Sequence, residues 1–125
     1  MRLLLDTHVA LWWLGATETI TEEARAAVED PENDVFLSAA SVWEAAVKTA
    51  SGRLRLDAPL VPSAREAGMV ELSVTWSHAE RAASLPPVHG DLFDRMLVAQ
   101  ALEEGLVLVT RDPAIQQYAV PTLSA

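Results

Sequence analysis

One stretch, residues 90–112, constrains the chain more than any other, because it reads as helix, then strand, then acid. Leu92, Phe93, Met96, Leu97, Ala99, Ala101 and Leu102 recur at the three-and-four spacing of a helix face, and Gly105 stands where a helix end wants positive φ. The spacing predicts a helix over 92–104. Residues 106–109 are an unbroken apolar run, too short for a helix and suited to a strand covered on both faces, as in a parallel sheet. Asp91 and Asp94 then fall on the first turn of a helix, and Asp112 just past a strand's carboxyl end, where open α/β sheets place their ligand sites. Each also has an ordinary explanation. Asp91 and Asp112 suit helix N-caps, and Asp94 sits at a capping-box position.

The rest of the chain repeats the pattern. Residues 2–5 read as a first buried strand, with Asp6 at its exit and a helix to Gly15, so Asp6 repeats the position of Asp112. His8, on that helix's first turn, is a candidate ligand. The adjacent Trp12 and Trp13 point at least a quarter-turn apart, which leaves one of them for a partner surface or both for neighbouring helices. A surface helix over 21–29 follows, then a strand over 35–37 and a helix over 39–50 opened by Ser38. Ala39, Val42, Trp43, Ala46 and Val47 are read as its packing side. Glu44 forms a capping-box pattern with Ser41 and a four-residue pair with Lys48; in the functional reading it points over the sheet's rim toward the other acids. Lys48, Arg53 and Arg55 make the one local basic cluster.

Beyond it come helices over 60–68, 76–85 and 115–119 and strands over 70–74 and 120–123, the last an edge strand where Pro121 is tolerated. Strands alternating with helices predict an α/β fold, a three-layer α/β/α sandwich with a central parallel sheet of four or five strands. The 125 residues, half of them hydrophobic, suit a single domain over 1–125. With no cysteine there is neither a disulfide framework nor a Cys-based zinc site, and a reducing cytoplasm is the expected home. Asp6 interrupts the apolar start too early for a signal-peptide core or a membrane span, so a soluble protein is expected.

A net charge of −9 argues against holding nucleic acid by bulk electrostatics and calls for another source of positive charge at any phosphate site. If Asp6, Glu44, Asp94 and Asp112 meet, like charges about 4 Å apart repel by roughly 4 kcal/mol at an effective dielectric of about 20. Such a cluster takes up protons or holds a divalent cation, and oxygen ligands point to Mg²⁺ or Mn²⁺. A carboxylate cage around such ions suits phosphodiester cleavage. Thr110 and Ser38, at strand ends, are candidates to support a ligating carboxylate.

The segments Leu-Leu-Leu-Asp-Thr-His from Leu3, Ser-Ala-Ala-Ser-Val-Trp-Glu ending at Glu44, Asp-Leu-Phe-Asp-Arg-Met-Leu-Val-Ala-Gln-Ala from Asp91, and Leu-Val-Thr-Arg-Asp ending at Asp112 together resemble a PIN-domain protein. More narrowly, they resemble the VapC-type toxins of bacterial toxin–antitoxin pairs, over nearly the whole chain and in the right order. The resemblance implies a metal-dependent ribonuclease whose four acids are Asp6, Glu44, Asp94 and Asp112. It also implies homodimers and a cognate antitoxin whose C-terminal segment covers the site. Leu92 replaces the proline usual in close relatives, which alters the helix entry but removes no ligand.

Two other phosphoryl-transfer families fit less well. A receiver domain wants paired acids after the first strand, and a haloacid-dehalogenase-like phosphatase wants Asp-x-Asp there, whereas Asp6 is followed by Thr7 and His8. The alternative from another class is a non-catalytic protein-binding α/β module whose acids are caps and ion-pair partners.

Overall fold

Leu3, Leu4 and Leu5 offer water nothing polar but their backbone, and a strand of such residues is stable only where both faces and both edges are covered. In the computed structural model, which describes residues 1–15 and 19–125, they form β1 (Arg2–Leu5) at the centre of a sheet. The other strands are β2 (Asp34–Ser38), β3 (Val70–Leu72), β4 (Val107–Thr110) and β5 (Thr122–Ser124). Their order is β3-β2-β1-β4-β5, and every pairing is parallel.

Seven helices complete the described chain: α1 (Thr7–Gly15), α2 (Glu22–Glu29), α3 (Ala39–Ala50), α4 (Leu60–Glu66), α5 (Trp76–Ser84), α6 (Leu92–Glu104) and α7 (Pro113–Gln116). Strand side chains alternate between two cores. Leu3, Leu5, Val35, Leu37 and Val109 pack with Val9, Ala24 and Ala64 of α1, α2 and α4. Leu4 and Leu108 face the other way, onto Leu97, Val98 and Ala101 of α6 and Ile115 of α7. This is the three-layer α/β/α sandwich with a central parallel sheet that the alternation of elements predicts. No helix among the described residues is long and apolar enough to cross a membrane.

Local chemistry moves some boundaries. Leu106 is fully buried but precedes β4, because its N–H is spent on the Ala101 carbonyl in closing α6. The third strand stops at Leu72 and the fifth starts after Pro121, which has no N–H to give a sheet. Pro113 takes the first position of α7, so that helix begins before Ile115.

The packing side of α3 differs from the reading of its apolar residues. Ala40, Ser41, Glu44 and Ala45 are buried, whereas Trp43 is 64% and Val47 37% exposed. Ser38 is the N-cap, as expected, its hydroxyl accepting from the Ala40 N–H, and the face is set instead by Ser41, which is buried and receives a hydrogen bond from the Thr7 hydroxyl. The Ser41–Glu44 capping box is therefore not made. Trp12 and Trp13 are both half-buried against the first core, with the Arg111 guanidinium 4.2 Å above the Trp12 ring.

Gly105 ends α6 with φ +66°, and a Cβ there would meet nothing within 4 Å. Its role is conformational rather than steric. Gly105→Ala should cost about 1 kcal/mol in urea denaturation, and Gly105→Asn less than Gly105→Val, since Asn tolerates the left-handed region and β-branched side chains do not.

Candidate active site

Four acids leave four different elements at the carboxyl edge of the sheet. Asp6 follows β1 directly, Asp112 lies two residues beyond β4, Glu44 is on the second turn of α3, and Asp94 is in the first turn of α6. All four line one open cleft, together with His8, Lys48, His89 and Asp91. The strand order reverses at β1, the place where an open α/β sheet leaves a crevice between diverging connections.

Each acid is held by a specific partner. The Thr110 hydroxyl donates to Asp6 Oδ2 at 2.8 Å. Lys48 donates to Glu44 Oε2 at 2.5 Å. Asp91 accepts the Asp94 N–H as the N-cap of α6, and Asp112 accepts the Ala114 N–H as the N-cap of α7. The capping roles of Asp91 and Asp112 are thus real and coexist with their position on the cleft. Asp94 does not complete a capping box; its Oδ2 instead lies 2.8 Å from His89 Nε2. Ser38 caps α3 and donates to Gln100, away from these carboxylates.

Two oxygens are left over. Asp6 Oδ1 and Glu44 Oε1 are buried and have no hydrogen-bond partner among the described residues, on residues only 6% and 2% exposed. A buried carboxylate oxygen without a donor is costly, and a hard cation is the group that such oxygens suit. The residues present therefore fit a divalent ion.

Electrostatics agree with crowding. Burial pushes the Asp94 carboxyl up to about 6, with the charges of Asp91, Asp6 and Glu44 adding to it against the His89 hydrogen bond. Burial also raises Asp6, opposed chiefly by its hydrogen bond from Thr110. The hydrogen bond to Asp94 raises His89 above its usual range.

His89 escaped the reading of the sequence. It lies between Pro87 and the start of α6, in a segment with no helical or strand period, so only its nearness to Asp91 and Asp94 hinted at a role. In space it joins Asp94 and Asp112 in a group whose ligand atoms all lie within 4.8 Å of one another.

Comparison with known proteins decides the family, because the model of the PIN domain matches residues 3–121. The chain belongs to the PIN-domain family. This PIN domain is 30% identical over 122 residues to a protein named Ribonuclease VapC22 from Mycobacterium tuberculosis, an alignment covering 95% of this chain and 93% of that one. Among solved structures it is similar to VapBC2 from Rickettsia felis bound to a promoter DNA fragment, with TM-score 0.74 and 10% identity over 99% of this chain and 98% of that one. It is similar also to DNA-bound VapBC from Salmonella typhimurium, with TM-score 0.73 and 14% identity over the same shares. At these identities the structural likeness establishes that the PIN fold is shared.

The raised groups have a consequence for stability. An acid whose folded pKa exceeds its unfolded value binds its proton more tightly when folded, so Asp94 and Asp6 lose stability as pH rises through their folded values. His89 acts in the same direction, since a raised folded pKa stabilises the protonated form and that contribution fades as pH climbs. The metal-free PIN domain should therefore melt at a lower temperature at about pH 7 than the trend of its other groups gives from about pH 4. Millimolar Mg²⁺ or Mn²⁺ should raise the melting temperature at about pH 7 and do little at about pH 4, as scanning calorimetry will show.

Proposed function

We propose that this PIN domain is a metal-dependent endoribonuclease that acts as the toxin of a toxin–antitoxin pair. The observation that carries the reading is the pair of unpartnered buried oxygens, on Asp6 and Glu44, lining the cleft that Asp94 and Asp112 also line. The relative named Ribonuclease VapC22 supports the activity, and the solved VapBC relatives support an antitoxin partner.

In this reading Asp6, Glu44, Asp94 and Asp112 hold Mg²⁺ or Mn²⁺. Bound there, the ion supplies the Lewis acidity and positive charge that hydrolysis of an RNA phosphodiester requires. The chain's own residues supply preorganisation. Thr110 fixes the rotation of Asp6, Lys48 restrains one oxygen of Glu44, and the Asp112 cap sets the direction of its second oxygen. Holding charged groups in position before substrate arrives avoids reorganising them during the reaction.

The partners are RNA, a cognate antitoxin and a second copy of the chain. Trp76 and Leu92 are 92% and 79% exposed, and Trp43 stacks edge-on with Phe93 at 5.1 Å between ring centres; such surface aromatic and apolar groups support a protein partner. The net charge of −9 suits a basic antitoxin segment. The absence of cysteine from the sequence agrees with a cytoplasmic location.

The test is cleavage of RNA by the purified chain with Mg²⁺ or Mn²⁺. Asp6→Asn and Asp94→Asn should each lower the rate by at least about a hundredfold with the circular dichroism unchanged, and chelation should abolish cleavage reversibly. Cleavage that survives both substitutions would overturn the mechanism. A folded wild-type chain that cuts no RNA would favour the non-catalytic binding module instead.

A further inference from the structure

We infer that His89 is a further ligand of the ion held beside Asp94 and Asp112, and that its nitrogen makes the site select Mn²⁺ over Mg²⁺. The inference rests on the metal-dependent reading of the cleft and adds a donor that the acids alone do not include.

The first observation is geometric. His89 Nε2 lies 2.8 Å from Asp94 Oδ2 and 4.0 Å from Asp112 Oδ2. With the Asp94 and Asp112 oxygens it makes a group whose ligand atoms all lie within 4.8 Å of one another, close enough for one ion to be shared among them. An ion held there would take the place of the proton that now bridges His89 Nε2 and Asp94 Oδ2, and that proton would pass to solvent. Asp112 commits its other oxygen, Oδ1, to the Ala114 N–H, so Oδ2 is the one left facing His89.

The second observation is that the position of His89 is built. Its carbonyl accepts from Tyr118 Oη at 3.2 Å and from Arg95 Nη1 at 3.4 Å. The same guanidinium binds the carbonyls of Ala82, Leu85 and Pro86. Arg95 follows Asp94 on α6, so one side chain fastens the loop that carries the imidazole to the helix that carries the carboxylate. The third observation is independent of His89: buried, unpartnered oxygens of Asp6 and Glu44 line the same cleft and ask for a cation.

The donor set then bears on the balance between the two ions. Mg²⁺ is satisfied by oxygen and sheds water reluctantly, whereas imidazole nitrogen suits first-row transition ions. Of these two ions Mn²⁺ accepts a nitrogen donor more readily, so one nitrogen among carboxylates shifts the balance from Mg²⁺ toward Mn²⁺.

The experiment uses the full chain and Mn²⁺ alone, without RNA. Pulsed electron paramagnetic resonance of bound Mn²⁺ should show ¹⁴N coupling that disappears in His89→Gln and persists in His8→Gln, His8 being the other histidine on the cleft. By calorimetry, His89→Gln should weaken Mn²⁺ binding about tenfold or more and Mg²⁺ binding by much less, with the circular dichroism unchanged. Bound Mn²⁺ without nitrogen coupling, or an equal loss of affinity for both ions, would overturn the role of His89 and leave the carboxylate site standing. Failure of the wild-type chain to bind Mn²⁺ at all would overturn both.

Discussion

Asp6 is buried because the strand it leaves is buried. Leu3, Leu4 and Leu5 are wholly inaccessible, in a strand paired on one side with β2 through Leu4 and on the other with β4 through Leu5, and the next residue cannot reach bulk water in a single step. Its N–H is drawn to the Val109 carbonyl, extending the pairing with β4, while its own carbonyl starts α1 by accepting from the Ala10 N–H. Backbone hydrogen bonding thus fixes Asp6 between sheet and helix with its carboxylate at the rim. A carboxylate in such a place must be protonated, hydrogen-bonded or matched by a cation, and one of its oxygens finds a partner in Thr110.

The same economy recurs around the cleft. Each acid gives one oxygen or its backbone to the fold and keeps something in reserve. Glu44 spends Oε2 on Lys48, and Asp112 spends Oδ1 on the cap of α7. The caps are neither alternatives to function nor evidence against it. A helix start at the edge of a sheet brings a carboxylate to the rim and then restrains it, so structural and chemical duties fall on one residue. The raised carboxyls show what this costs in repulsion and desolvation, a strain that sites commonly carry and the surrounding core offsets.

The surface divides by chemistry in a way the core does not require. Two apolar cores account for the helix faces that meet the sheet, and Trp43, Trp76 and Leu92 lie outside both. Trp43 is exposed for the same reason that Glu44 is buried, since neighbours on a helix point about 100° apart. Rotating α3 to bring an acid inward turned a tryptophan out. The burial of one polar group and the exposure of one large apolar group are therefore a single event in this helix.

Periodicity made most of the fold legible. The bounds of α3 and α6 follow from Ser38, Asp91 and Gly105, residues whose preference for helix ends is local and needs no neighbour. β1 and β4 were legible as apolar runs next to acids, and the alternation of elements dictated a parallel sheet covered on both faces. Tertiary structure alone decided which way α3 faces, because its apolar residues outnumber the places available against the core and Thr7, far away in sequence, claims Ser41. It alone also brought His89 to Asp94 and Asp112. A loop residue has no period to betray it, and its address is set by Arg95 and Tyr118 reaching across from other elements. The chain's order of residues thus determined the elements and the acids at their ends, since caps and strand exits are short-range effects; packing decided which of those groups face one another, since that depends on contacts between parts of the chain far apart.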